Sequence, residues 1–150
     1  MEWVDGESLG ARVKQSGALP PREALLLLRA VADALTVLGE QRLVHRDIKP
    51  DNIMIARAGR AASRVKLIDF GPAKALEHTP DRFDSVDTGE RFVGSVYFAS
   101  PEQIRARGVL DCRSDFYSLG ATLWHVLTAS PPFTGTTYDV QTAHVEDEPA

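Results

Sequence analysis

The sequence predicts a mainly helical α+β domain with one small β-hairpin, and three observations carry that prediction. "REALLLLRAVADALTVLGEQ" (22–41) holds an amphipathic apolar stripe. "RSDFYSLGATLWHVLTA" (113–129) is apolar on nearly all sides. "NIMIA" (52–56) and "RVKLIDF" (64–70) are β-prone runs divided by a turn glycine. At 150 residues this is one domain's worth of chain, and 43% apolar with 25% charged residues is ordinary globular composition.

Taken in order, residues 7–16 read as a short helix closed by Gly17, since glycine readily takes the left-handed conformation after a helix. Pro20 and Pro21 open the next helix, because a first-turn proline loses no helical hydrogen bond. Within it Leu25, Leu28, Ala32, Leu35 and Leu38 recur at three- and four-residue steps, which predicts a core-facing stripe. The hairpin follows. The polar stretch from Gly71 to about Gly94 reads as a long loop, and a loop of that length in a compact domain is usually functional or disordered. "SPEQIRAR" reads as a short helix. In 113–129, Ser114 is the expected N-cap and Asp115 suits the positive helix end. Phe116, Leu119, Leu123, Trp124, Val126 and Leu127 wrap this helix, which predicts burial on all sides. Residues 134–150 begin another helix and end in acids.

Charge and cysteine content exclude several classes. A net charge of −4 without a basic run argues against a general binder of nucleic acid or anionic membrane. One cysteine, Cys112, allows neither an intrachain disulfide nor a cysteine metal cluster, and His78, His125 and His144 are too scattered to suggest zinc. The N-terminal "MEWVDGESLG" is no signal peptide, and "ALLLL" is far too short to span a bilayer. The expected compartment is the cytoplasm, with a membrane anchor in a longer parent left open.

Three motifs occur in fixed order. "HRDIKPDN" (45–52) matches H-R-D-x-x-x-x-N, "IDFG" (68–71) contains D-F-G, and "SPE" (100–102) is a variant of A-P-E. With "GSVYFASPEQ" and "DCRSDFYSLG", the chain resembles the C-terminal lobe of a eukaryotic-type serine/threonine protein kinase, most of all the bacterial ones. The resemblance implies that 1–150 is a partial kinase domain, hinge plus most of the C-lobe, with 69–102 as activation segment. It implies ATP and Mg²⁺ as cofactors and a protein Ser/Thr hydroxyl as acceptor.

The implied roles follow residue by residue. Asp47 is the base that orients the acceptor hydroxyl, and Lys49 meets the γ-phosphate. Asn52 and Asp69 offer hard oxygen ligands to Mg²⁺. Arg46 pairs with a phosphate on the activation segment, for which Ser85 and Thr88 are the expected acceptors. Ser95 is expected to hydrogen-bond Asp47 and Lys49. Asp115 anchors the catalytic-loop backbone, Glu102 supports the segment's end, and His45 packs against Phe70. "MEWVDGESL" resembles the interlobe hinge, with Met1 as gatekeeper. The backbones of Glu2 and Val4 would meet adenine, and Met54 would form the apolar floor beneath it.

The pattern is incomplete. The glycines at 6, 10 and 17 form no G-x-G-x-x-G, and no V-A-I-K lysine is present. Pro72 follows D-F-G directly and removes an N–H there. The expectation is therefore negligible turnover by residues 1–150 alone. Two alternatives stand beside the kinase reading. One is a pseudokinase-like scaffolding module; the other is a small-molecule phosphotransferase with an H-x-D-x-x-x-x-N loop, which relatives of that type generally pair with neither D-F-G nor S-P-E.

Overall fold

The computed structural model describes residues 5–58, 62–69, 94–105 and 110–149. Strand β1 (Gly6–Ser8) leads directly into helix α1 (Leu9–Ser16), and α2 (Pro21–Glu40) follows. A 3-10 turn at Pro50–Asn52 precedes β2 (Ile53–Ala58) and β3 (Ala62–Leu67). A second 3-10 turn, Val96–Phe98, precedes α3 (Pro101–Arg105), α4 (Cys112–Thr128) and α5 (Thr137–Glu146). The architecture is thus mostly helical with a small antiparallel sheet ordered β1-β2-β3.

The expected hairpin is present, with Ile53 opposite Leu67 and Ile55 opposite Val65. Because side chains alternate along a strand, buried Ile53 and Ile55 share the core face, whereas Met54 and its partner Lys66 lie on the other. Strand β1 was not expected; residues 6–8 pair with 54–56, and the helix begins at Leu9 rather than at residue 7. Ser8 makes the switch, since its hydroxyl accepts from the Ala11 N–H at 3.0 Å as N-cap. Gly6 is obligatory, because a Cβ there would lie 2.2 Å from the Ile55 carbonyl oxygen.

Helix α2 differs from its predicted stripe by one position. Ala24, Leu28, Val31 and Leu35 are buried, while Leu25 and Leu26 are 56% and 58% exposed. Four consecutive leucines fit two overlapping stripes equally well, and packing selects the one in which small Ala24 faces the core. These residues join Leu9, Val13, Ile48, Ile53, Leu119 and Val126 in one cluster, with α2 packed on α4. Removing a side chain such as Leu35 from it typically costs about 2–5 kcal/mol.

Helix α4 also departs from expectation. Its N-cap is Asp111, whose carboxylate accepts from the Arg113 N–H at 2.8 Å, and Ser114 is already buried inside the first turn. Phe116 and Tyr117 are 40% and 36% exposed, so the helix is not buried all round. Its buried residues mix apolar Leu119 and Val126 with small and polar ones, Ser114, Asp115, Ser118, Ala121 and Thr122. Helix α5 opens with a reciprocal cap between Thr136 and Asp139. Among the described residues no helix is long and apolar enough to cross a membrane.

Burial of three imidazoles makes stability pH-dependent. Desolvation holds the pKa values of His45, His125 and His144 below the usual 6.5. The unfolded chain therefore takes up protons first, and native stability declines as pH falls below about 6.5 toward the folded-state values. Urea midpoints should drop between pH 7.5 and 5.5, and His144→Phe should flatten that drop. A midpoint that rises on acidification over this span would contradict the account.

Candidate active site

The site begins where the chain leaves α2 and runs through 44–49 into the turn before β2. Residues 44, 45 and 48 are buried and anchor this segment, while Asp47 and Lys49 remain at its partly open side. Two non-glycine residues here adopt the left-handed conformation, Arg46 (φ 69°) and Asp69 (φ 53°). Such geometry costs an L-residue roughly 1–2 kcal/mol and needs neighbours to hold it.

For Arg46 the neighbours are plain. Asp115, buried in the first turn of α4, accepts from the His45 N–H at 2.7 Å and the Arg46 N–H at 2.8 Å. On the other side, the Gln103 amide donates to the Arg46 carbonyl at 2.8 Å. Burial pushes the Asp115 carboxyl above the usual carboxylate range, although the two N–H bonds pull the other way.

Asp47 is the centre of a four-residue network. Asn52 donates through one side-chain nitrogen to the Asp47 carboxylate and carbonyl oxygens, both at 2.8 Å. The Ser95 hydroxyl donates to the other carboxylate oxygen at 3.0 Å and accepts from the Lys49 ammonium at 2.7 Å. Lys49 also meets Asp47 directly at 2.9 Å. Three donors thus orient the carboxylate, whose side chain is still 34% exposed against 12% for Lys49. A charge pair on this half-open surface aims side chains more than it stabilises the fold.

Asp69 enters from the end of β3. The Ile68 N–H donates to the Asn52 carbonyl at 3.0 Å, which ties the residue before Asp69 to the turn that carries Asn52. Asp69 is exposed, and its charge and that of Asp47 both act on the His45 imidazole. Among the described residues no group of three or more His, Cys, Asp or Glu could hold a metal ion. A magnesium ion asks for less: one or two carboxylates, with water and phosphate oxygens completing the shell. Asn52 spends its amide nitrogen on Asp47, which leaves its amide oxygen as the atom that side chain could offer a cation. With the Asp69 carboxylate this is a hard-oxygen pair of the right chemistry.

Other expected residues fall as follows. Glu102 accepts a short hydrogen bond from Ser114 and so fixes α3 to α4. His45 is fully buried, its Nδ1 accepting from the Asp47 N–H at 3.4 Å. Met54 lies half-buried on the sheet face away from the core. Met1, Glu2, Val4, Phe70, Pro72, Ser85 and Thr88 lie outside the described residues. Sequence reasoning placed Ser100 only within the S-P-E motif and gave Gln103 no role. Both are buried and bonded to each other, the Ser100 N–H donating to the Gln103 side-chain amide oxygen at 2.9 Å.

Comparison with known proteins adds an independent line. The family described as "Protein kinase domain" matches residues 1–149. A serine/threonine-protein kinase PknB of Mycobacterium tuberculosis is 40% identical over 150 residues, covering 99% of this chain and 23% of its own length. A probable serine/threonine-protein kinase PknB of Bifidobacterium longum is 42% identical over 135 residues, covering 90% of this chain and 18% of its own. The corresponding protein of Corynebacterium glutamicum is 35% identical over 150 residues, covering 99% and 22%. The chain therefore spans less than a quarter of the length of each of these relatives.

Proposed function

Since the chain belongs to the protein kinase family, we propose that it carries the catalytic loop of a serine/threonine kinase, which transfers the γ-phosphate of ATP to a protein hydroxyl. The observation that supports this reading best is the Asp47 carboxylate, held at once by Ser95, Asn52 and Lys49 while remaining open to solvent.

Asp47 accepts a hydrogen bond from the acceptor serine or threonine and takes its proton as the new O–P bond forms and ADP departs. The transition state is loose, so orientation matters more than basicity. Ser95 holds one carboxylate oxygen and Asn52 the other, which fixes the carboxylate plane. Lys49 places a positive charge beside the base, where the transferred phosphoryl oxygens need it. Asn52 and Asp69 are the residues that would hold Mg²⁺, which when bound neutralises charge on the ATP phosphates. Met54 is the residue that would lie under the adenine, and Glu2 and Val4, outside the described residues, are those whose backbone groups would meet its edge. Residues 69–102 form the activation segment, with Ser85 and Thr88 as phosphoacceptors that Arg46 reads. The presence of Asp47, Asn52 and Asp69 together speaks against a scaffolding module that has lost the chemistry.

The test is ligand-linked stability. ATP should raise the melting temperature of the full-length protein with Mg²⁺ present and much less in EDTA, and Asn52→Ala with Asp69→Ala should remove the difference. Equal shifts with and without the metal would overturn the assignment of that pair.

A further inference from the structure

We propose that Gln103 is a positioning residue for phosphotransfer, its amide clamping the segment 94–105 to the peptide that precedes Asp47. The proposal rests on the kinase reading above for its effect on rate, though not for the clamp itself.

Gln103 is 7% exposed, and its amide uses both ends. The oxygen accepts from the Ser100 N–H at 2.9 Å, and the nitrogen donates to the Arg46 carbonyl at 2.8 Å. The return bond from the Gln103 N–H to the Ser100 hydroxyl, at 3.4 Å, closes the ring. The backbone of Arg46 is thus gripped from two helices, the peptide before it through its N–H by Asp115 of α4 and the peptide after it through its carbonyl by Gln103 of α3. It needs that grip, because Arg46 has φ 69° and a left-handed L-residue relaxes when its partners are removed.

Asp47 is the next residue, so the pose of the Arg46–Asp47 peptide, whose carbonyl Gln103 holds, sets the direction of the Asp47 side chain. Across the same gap, Ser95 reaches Asp47 and Lys49. The segment that carries Ser95 is therefore attached to the loop twice, by side chains at one point and by the Gln103 amide at another. A primary amide alone serves here. An ionised glutamate keeps the acceptor for Ser100 but turns a negative oxygen toward the Arg46 carbonyl, and methionine fills the space with neither function.

Gln103→Met and Gln103→Glu in the full-length protein separate the two bonds. Gln103→Met should lower kcat roughly 10- to 100-fold at every pH, with KM for ATP within about twofold, as a misplaced base does. Gln103→Glu should match that loss at pH 8 and recover as the pH is lowered far enough to protonate the carboxyl, which then regains a donor for Arg46. Unchanged kcat in both variants, or a Gln103→Glu ratio to wild type that is flat with pH, would overturn the positioning role. Amide exchange gives a readout that needs no activity. The Ser100 N–H should be slow in wild type and Gln103→Glu and fast in Gln103→Met. If the wild type transfers no phosphate, the kinase reading fails and exchange alone decides the clamp; equal Ser100 protection in wild type and Gln103→Met would refute it.

Discussion

Asp47→Asn in the full-length protein should reduce the phosphotransfer rate by about 10²–10⁴-fold, the range usual for loss of a positioned base. The amide is isosteric, so shape is kept while the ability to take a proton is lost. The hydrogen bonds also become inconsistent. Ser95 and Asn52 donate to opposite carboxylate oxygens, and Lys49 adds a third donor to one of them. An asparagine offers one oxygen and turns an NH₂ group toward the remaining donors. Because the position is half-open, the misfit relaxes into solvent and the melting temperature should move by a few degrees at most. Single-turnover rates and thermal melts on the same preparations check both halves. A rate within threefold of wild type would remove Asp47 from the chemistry.

Asp115→Ala should act in the opposite manner, destabilising the fold by roughly 3–5 kcal/mol, because one buried and one partly buried N–H donor lose their acceptor together. Those donors belong to His45 and Arg46, and the second is in a strained conformation. Burial of the charge pushes the Asp115 carboxyl up, against the pull of these bonds. The carboxylate is therefore costly to install but more costly to delete, since deletion leaves the N–H groups stranded. Asp115→Asn keeps one acceptor and sets an NH₂ against the second donor, so it should fall between wild type and alanine. Urea unfolding followed by intrinsic fluorescence measures both; a lower midpoint at unchanged slope is the expected signature. A shift below 1 kcal/mol for Asp115→Ala would mean that other groups hold the loop.

These two residues also show what could be read before folding. Asp47 and Asn52 are five residues apart, their bond is local, and a short motif suffices to pair them. Asp115 is 70 residues from His45, and Ser95 is 48 from Asp47. No periodicity joins such distances, and both were placed by family resemblance. Gln103 shows the limit. Its bond to Ser100, three residues away, is the local S-x-x-Q capping pattern, whereas its bond to the Arg46 carbonyl, 57 residues away, forms only once α3 packs beside the loop. The helices were legible because 3.6-residue patterns are strong over long stretches. Their details were not: "ALLLL" admits two stripes, and "DCRSD" holds two plausible caps, of which the fold uses Asp111 and buries Ser114. Strand β1, at three residues, carries too little pattern to be seen and exists because β2 offers it an edge.

The assignment as a whole turns on where a phosphate goes. The full-length protein should be incubated with γ-labelled ATP, Mg²⁺ and a serine- and threonine-containing protein substrate, and the labelled amino acid identified after acid hydrolysis. Phosphoserine or phosphothreonine that disappears in EDTA is the result predicted here. Label passed to a small-molecule hydroxyl in preference to protein, or no transfer to either by a preparation that is folded, would contradict it.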